Sequence, residues 1–311
     1  MPGVLILGAG LVGTFAARAL SEEGIEIVVA DLGTEPEYFR RFGPKECLLA
    51  TADILDFTSI SSLLKSCDVD VIVLTAGLTS EDCEHDPQKA WSVNVQGPVV
   101  VARAAIEAGV KRLVFISTIA VYGIPDAVRI TESMPVRPCS EYGRTKAMAE
   151  KGITTFRDHG LDVRILRSCG VYGPLRSNGG SKSAKFIEAL LRHALSTREL
   201  EVIASPNAAD EYLYVKDLAQ AVSLAALRGV PATAFIFNVG AGQSTTIKEL
   251  CALVQRISPE LRINISPAGV EESPRLAPLD TSLIHDVYGF KPQYSLAKGF
   301  FDYLQETGQR L

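Results

Sequence analysis

Val4-Leu5-Ile6-Leu7 runs without a break into Gly8-Ala9-Gly10-Leu11-Val12-Gly13, and this junction constrains the fold more than any other stretch of the chain. Four apolar residues closed by a glycine read as a buried strand. Thr14 to Glu23, alanine-rich and apolar at helical spacing, reads as the helix that follows, so Gly13 falls in its first turn. Amides at a helix start lack intrahelical partners, and glycines let an anionic ligand approach them closely. After Gly24, Ile25 to Ala30 forms a second strand that stops at Asp31. An acid at this point accepts hydrogen bonds from a ribose 2′-hydroxyl and repels a 2′-phosphate, and no arginine follows before Arg40. Strand, glycine turn, helix, strand and acid in this order predict an NAD site.

The alternation continues. Residues 47–52, 70–75, 112–117 and 161–166 read as further strands, and 58–65, 87–108 and 142–159 as helices between or after them. Such a pattern predicts an α/β fold, a Rossmann-type doubly wound parallel sheet whose ligands lie beyond the carboxyl ends of the strands. Asp31, Asp53, Ala76-Gly77, Thr118 and Arg167 all stand at or just past such ends. After Gly173-Pro174 the character changes to a glycine and serine loop from Arg176 to Ser181 and a proline-punctuated remainder. The expected division is an NAD-binding domain over 1–168, with a return of about 212–240 that brings the strand-like 235–239 back to the sheet. A smaller substrate lobe takes 169–211 and 241–311.

A chain of 311 residues can bury a large core, and a formal charge of −5 without basic runs disfavours nucleic acid and anionic membranes as partners. The N-terminal apolar run is broken by glycines and lacks a basic lead-in, so it reads as a strand and not a signal peptide; a cytoplasmic location is expected. Six cysteines (Cys47, Cys67, Cys83, Cys139, Cys169, Cys251) and four histidines are scattered, with no metal or redox spacing. No metal is expected.

Chemistry enters with Tyr142 and Lys146, four residues apart and so one above the other on a helix face. A phenol with a reference pKa of about 10 needs nearby positive charge to serve as a base at neutral pH, and Lys146 is placed to supply it. By itself this short motif is as readily a surface pair on an amphipathic helix. The dinucleotide site upstream gives it a context.

The series of glycine loop, Asp31, Asp53-Ile54, Ser117-Thr118 before Val121-Tyr122-Gly123, Tyr142-Gly143-Arg144-Thr145-Lys146, and Leu166-Arg167 before Val171-Tyr172-Gly173-Pro174 resembles the extended short-chain dehydrogenase/reductase family of NAD-dependent epimerases, dehydratases and dehydrogenases. The likeness runs on through Tyr212 to Ala219, Asn238-Val239-Gly240 and Gly289-Phe290-Lys291-Pro292. It implies that Thr118 hydrogen-bonds the reacting oxygen, with Ser117 as its possible substitute. Tyr142 exchanges the proton, and Lys146 binds the nicotinamide ribose and depresses the tyrosine pKa. Gly8, Gly10, Leu11, Val12, Gly13 and Asp31 hold the pyrophosphate and adenosine ribose, Asp53 and Ile54 the adenine, while Ala76, Gly77 and Ser117 line the cofactor. The substrate falls to Thr79, Thr118, Asn178, Asp210 and Arg275. The likeness also implies a homodimer through the long helices beginning near Pro87 and Tyr142.

Two departures stand out. The family opens with Thr-Gly-x-x-Gly-x-x-Gly; aligned on Gly10 and Gly13, its first glycine position is Leu7, and Gly8 comes one place late. Where nucleotide-sugar members carry Arg-Asp ahead of an aromatic residue, this chain has Asp210-Glu211, and an acid there repels a diphosphate. The leading expectation is therefore net NAD-dependent oxidation of a secondary alcohol on a small sugar or sugar acid. A nucleotide-sugar epimerase that retains NAD, such as a UDP-sugar 4-epimerase, is the first alternative, and an NAD-binding regulator without chemistry the second.

Overall fold

The computed structural model describes residues 3–33, 35–176, 179–196, 198–229, 233–267 and 277–309. Its strands are β1 (Gly3–Leu7), β2 (Ile27–Asp31), β3 (Leu48–Thr51), β4 (Val69–Leu74), β5 (Arg112–Thr118), β6 (Asp162–Ser168), β7 (Gly170–Tyr172), β8 (Glu199–Ile203), β9 (Ala209–Asp210), β10 (Tyr212–Tyr214), β11 (Ile236–Val239), β12 (Thr245–Thr246) and β13 (Arg262–Ser266). Seven of them form one sheet in the order β11-β6-β5-β4-β1-β2-β3, and every pairing in it is parallel. The late strand does return, Ile236 pairing with Ile165 and Val239 with Ser168. All five residues of β1 are buried, because a parallel sheet is covered on both faces. Leu48 and Leu49, on edge strand β3, stay exposed.

Helices cover the two faces. On one lie α1 (Leu11–Glu22), α9 (Val215–Leu227) and α11 (Ser282–Tyr288), packing Ala16, Leu20, Leu218, Val222 and Ile284 against Val4, Ile6 and Val73. On the other lie α3 (Phe57–Ser66), α6 (Gly97–Ala108) and α7 (Glu141–Thr154), packing Ile60, Val101, Ala105, Ala149 and Ile153 against Leu5, Leu7 and Phe115. A third core joins α2 (Pro36–Phe42) to α8 (Lys182–Ser196), α10 (Ile247–Ile257) and α12 (Leu296–Glu306) through Phe42, Leu190, Leu250 and Phe300.

The helix expected over 87–108 is three pieces. After α4 (Ser80–His85), α5 (Pro87–Trp91) passes into a π-helical stretch, Ser92–Gln96, and only then into α6. The wider turn seats Asn94, which is wholly buried, with its amide on the backbone of Leu78. Residues 155–159, expected as the end of the tyrosine helix, form a 3-10 turn closed by Gly160 at φ +90°.

Candidate active site

Every strand of the main sheet runs in the same direction, so the loops after β1, β4, β5 and β6 open on one edge. There lies a cavity of about 920 Å³ whose walls include Gly10, Leu11, Val12, Gly13, Gly77, Thr79, Thr118, Tyr142, Lys146, Ser183 and Asp210.

The glycine turn has its own shape. Gly8 sits at φ +111°, and a Cβ there would come 2.5 Å from the Ala76 nitrogen. At Gly13 a Cβ would lie 1.8 Å from the Gly8 carbonyl oxygen, so this glycine lets α1 close on the strand. At Gly10 it would meet nothing within 4 Å. Gly10 is also the N-cap of α1 and offers no side-chain acceptor for the first amides of the helix, and Gly10 to Gly13 line the cavity. A pyrophosphate fits that place by size and by charge. The displaced Gly8 thus allows the close approach of this turn to Ala76.

Asp31 accepts from the Ala9 amide at 2.6 Å and from the Gly33 amide at 3.1 Å, tying the glycine loop to the end of β2. An arginine does approach it, from far along the chain: Arg176 Nη1 lies 3.9 Å from Asp31, while its Nε donates to Glu35 at 3.0 Å. Asp53 accepts from the Leu55 amide at 2.8 Å, capping its own turn. Ile54 turns its side chain into the core, where its Cδ1 would lie 2.6 Å from a Cβ at Gly97; only its backbone is left for an adenine. The Ala76 amide is spent on the Leu7 carbonyl, whereas Gly77 reaches the cavity.

Thr118 closes β5, its hydroxyl accepting from the Ala120 amide at 3.2 Å. Tyr142, in the first turn of α7, stands beside Thr118. One turn on, Lys146 donates to the Ile116 carbonyl at 2.9 Å and lies over the Phe115 ring. Burial pushes the Tyr142 phenol up to about 12, and contact with Thr118 works the other way. Burial also pulls Lys146 down to about 8. Desolvation disfavours the charged form of each group.

The expectation for Ser117 is corrected. It lines the cavity, yet adjacent strand residues face opposite sides, and its hydroxyl donates to Glu150, so it cannot stand in for Thr118. Glu150 also binds Arg167 in a buried pair, Nη2 to Oε2 at 2.6 Å, with the guanidinium over the Tyr122 ring. Arg167 is therefore structural. Tyr122 belongs to the same buried framework through Asn238, whose amide nitrogens bond to the Ile130 carbonyl and the Glu132 carboxylate.

On the substrate side, Thr79 lines the cavity with its hydroxyl and amide held by Asp82. Asp210 accepts from Ser183 and the Glu211 amide. Asn178 and Arg275 lie outside the described residues. Sequence reasoning missed Asn94, Glu35 and Ser183. Asn94 alone left a trace, a polar residue in the middle of an apolar helix. Among the described residues no three His, Cys, Asp or Glu side chains gather as metal ligands, and no helix is long and apolar enough to cross a membrane.

A doubly wound parallel sheet with open helix amides at its glycine turn, and a threonine, tyrosine and lysine at the adjoining strand end, defines a dinucleotide-dependent enzyme. The chain belongs to the NAD dependent epimerase/dehydratase family, whose profile matches residues 4–240. It is similar to UDP-glucose 4-epimerase of Corynebacterium glutamicum, 29% identical over 289 residues that cover 89% of this chain and 84% of that one. The enzyme of the same name from Mycolicibacterium smegmatis is 32% identical over 254 residues, covering 80% and 79%. In fold it resembles the Stenotrophomonas maltophila UDP-glucose-4-epimerase solved with NAD and formylated UDP-arabinopyranose, with a TM-score of 0.87 and 23% identity over 99% of this chain and 98% of that one.

Proposed function

We propose that this enzyme is a nucleotide-sugar epimerase that keeps its NAD through the cycle, in place of the net dehydrogenase expected from the sequence. The observation that carries this reading is the Thr118–Tyr142–Lys146 group on the wall of a cavity shared with the glycine turn, in a chain whose curated relatives are UDP-glucose 4-epimerases. NAD, when bound, supplies a hydride acceptor and a positive charge that works against the burial of Tyr142. The phenolate of Tyr142 then takes the proton of a sugar hydroxyl and later returns it. Thr118 orients the same oxygen, and Lys146 holds a cofactor hydroxyl. Asp31, Asp53 and the backbone of Ile54 serve the adenosine end.

The division into an NAD-binding domain and a substrate lobe belongs to this proposal, as does a homodimer. Trp91, Val136 and Met148 are each about two-fifths exposed around a hollow beside α7, and a second copy would cover them.

Purified protein is given UDP-glucose and UDP-galactose, with product isomers separated and absorbance of NADH followed. Interconversion without net NADH, and NAD released on denaturation, are expected. Stoichiometric NADH with a sugar or sugar acid would establish the second reading, net oxidation, which Asp210 favours by standing where nucleotide-sugar members carry an arginine.

A further inference from the structure

At the adenosine end of the cavity an ion pair joins two stretches of chain 141 residues apart. Glu35 is the N-cap of α2, just past Asp31, and Arg176 follows the Gly173-Pro174 turn. Arg176 Nε donates to Glu35 Oε1 at 3.0 Å, while Nη1 of the same guanidinium stands 3.9 Å from Asp31 Oδ2. One arginine thus faces both acids. Glu35 and Arg176 line the cavity together with Gly10, Leu11 and Gly13, the residues of the glycine turn. Their roots are fixed to each other, because Tyr38, buried beside Phe42, donates its hydroxyl to the Pro174 carbonyl at 2.8 Å. Their tips stay wet, with the Arg176 side chain 28% and the Glu35 side chain 39% exposed. For a pair of this kind the gain from contact nearly balances the loss of hydration, so it can part and re-form without disturbing the core.

We propose that Glu35 and Arg176 form a clasp across the adenosine end of the NAD site that slows release of the cofactor and takes no part in proton transfer. This deepens the reading of an enzyme that keeps its NAD through the cycle, by naming side chains that hold it there. Asp31 takes the adenosine ribose, and the guanidinium beside it, tied to Glu35, bridges the two walls at that end. A second ion pair, Lys185 to Glu81, joins α8 to α4 and serves as the comparison, since its partners are at least as exposed and neither belongs to the clasp.

Wild type, Glu35→Gln, Arg176→Gln, the double variant and Lys185→Gln are loaded with NADH, mixed with excess NAD, and followed by the loss of NADH fluorescence. Release is expected to be about three- to fivefold faster in each single clasp variant, the most that a partly exposed pair is worth, and no faster in the double variant, where the same contact is broken. The ratio to wild type should fall towards one in about 1 M salt, which screens exposed charges. Lys185→Gln should release NADH at the wild-type rate, and all the cofactor-free proteins should melt together. Unchanged release from Arg176→Gln overturns the proposal; if that variant also loses affinity for NADP, the arginine is a ligand for a 2′-phosphate instead. A double variant whose acceleration is the product of the singles overturns it, because the two residues then act separately. Equal acceleration by Lys185→Gln assigns retention to the contact between lobes as a whole and overturns it too. Should wild-type cofactor exchange within a single turnover, the retention reading fails on its own, while the ratios between variants still decide the clasp.

Discussion

Burial works on Tyr142 and Lys146 in opposite directions, raising the phenol to about 12 and lowering the ammonium to about 8. On the proposed mechanism, Tyr142→Phe removes the proton carrier and leaves the glycine turn untouched. Turnover should fall by about two to four orders of magnitude with NAD affinity retained, read by steady-state rates and by cofactor titration. Lys146 makes a prediction about stability. Its pKa is about 8 folded and about 10.5 unfolded, so between those values the unfolded chain binds the additional proton, and stability rises with pH. Urea unfolding of the cofactor-free protein should show the wild type gaining on Lys146→Met, on the order of 2–3 kcal/mol, as pH goes from about 8 to 10. A gap that stays constant over that range would show that Lys146 does not titrate there.

The two glycines flanking the start of α1 separate folding from binding. Gly13→Ala drives a Cβ into the Gly8 carbonyl and should cost about 3 kcal/mol or more, as a fall in melting temperature. Gly10→Ala meets no protein atom and should melt like the wild type, yet bind NAD more weakly because the methyl fills the space before the helix amides. At the other end of the site, Glu150 fastens α7 to β5 and β6 through Ser117 and Arg167. Glu150→Gln leaves a buried guanidinium without its counter-charge, an expected loss of about 3–5 kcal/mol by denaturant unfolding. Replacing both partners by methionine should recover most of it.

Across the whole molecule, a few buried carboxylates tie the late segments to the site. Glu211, wholly buried and pushed up to about 7, accepts from the amides of Gly242 and Leu279, and Asp217, pushed up to about 6, accepts from those of Gln293 and Tyr294. The Glu211 bonds hold the chain next to Asp210 to the segments after β11 and before α11, and the Asp217 bonds hold α9 to the approach to α12. If α7 also forms the dimer face, Met148→Arg should convert a sedimenting dimer to a monomer, because a charge would be buried opposite its own copy. An unchanged sedimentation coefficient would move the interface elsewhere.

Local pattern was enough for the sheet. Apolar runs of strand length, glycines at their ends and alternating helices read true from β1 to β6, because burial on both faces leaves an unbroken hydrophobic signature in the inner strands; edge strand β3 is apolar though Leu48 and Leu49 are exposed. The same reading located Gly10, Thr118, Tyr142 and Lys146, whose spacing is set within single elements. What depended on distant parts of the chain was not legible. The π-helical stretch seats Asn94 against a loop sixteen residues away, Arg176 reaches Asp31 across the cavity, and Ser117 gives its hydroxyl to Glu150. The direction of the tyrosine pKa turned on burial, a property of the assembled core and not of the Tyr-x-x-x-Lys spacing. Sequence by itself determined the dinucleotide fold and brought forward Thr118, Tyr142 and Lys146; tertiary structure decided which acids line the cavity and which are tied up within the protein, since only packing fixes where a charge loses its water.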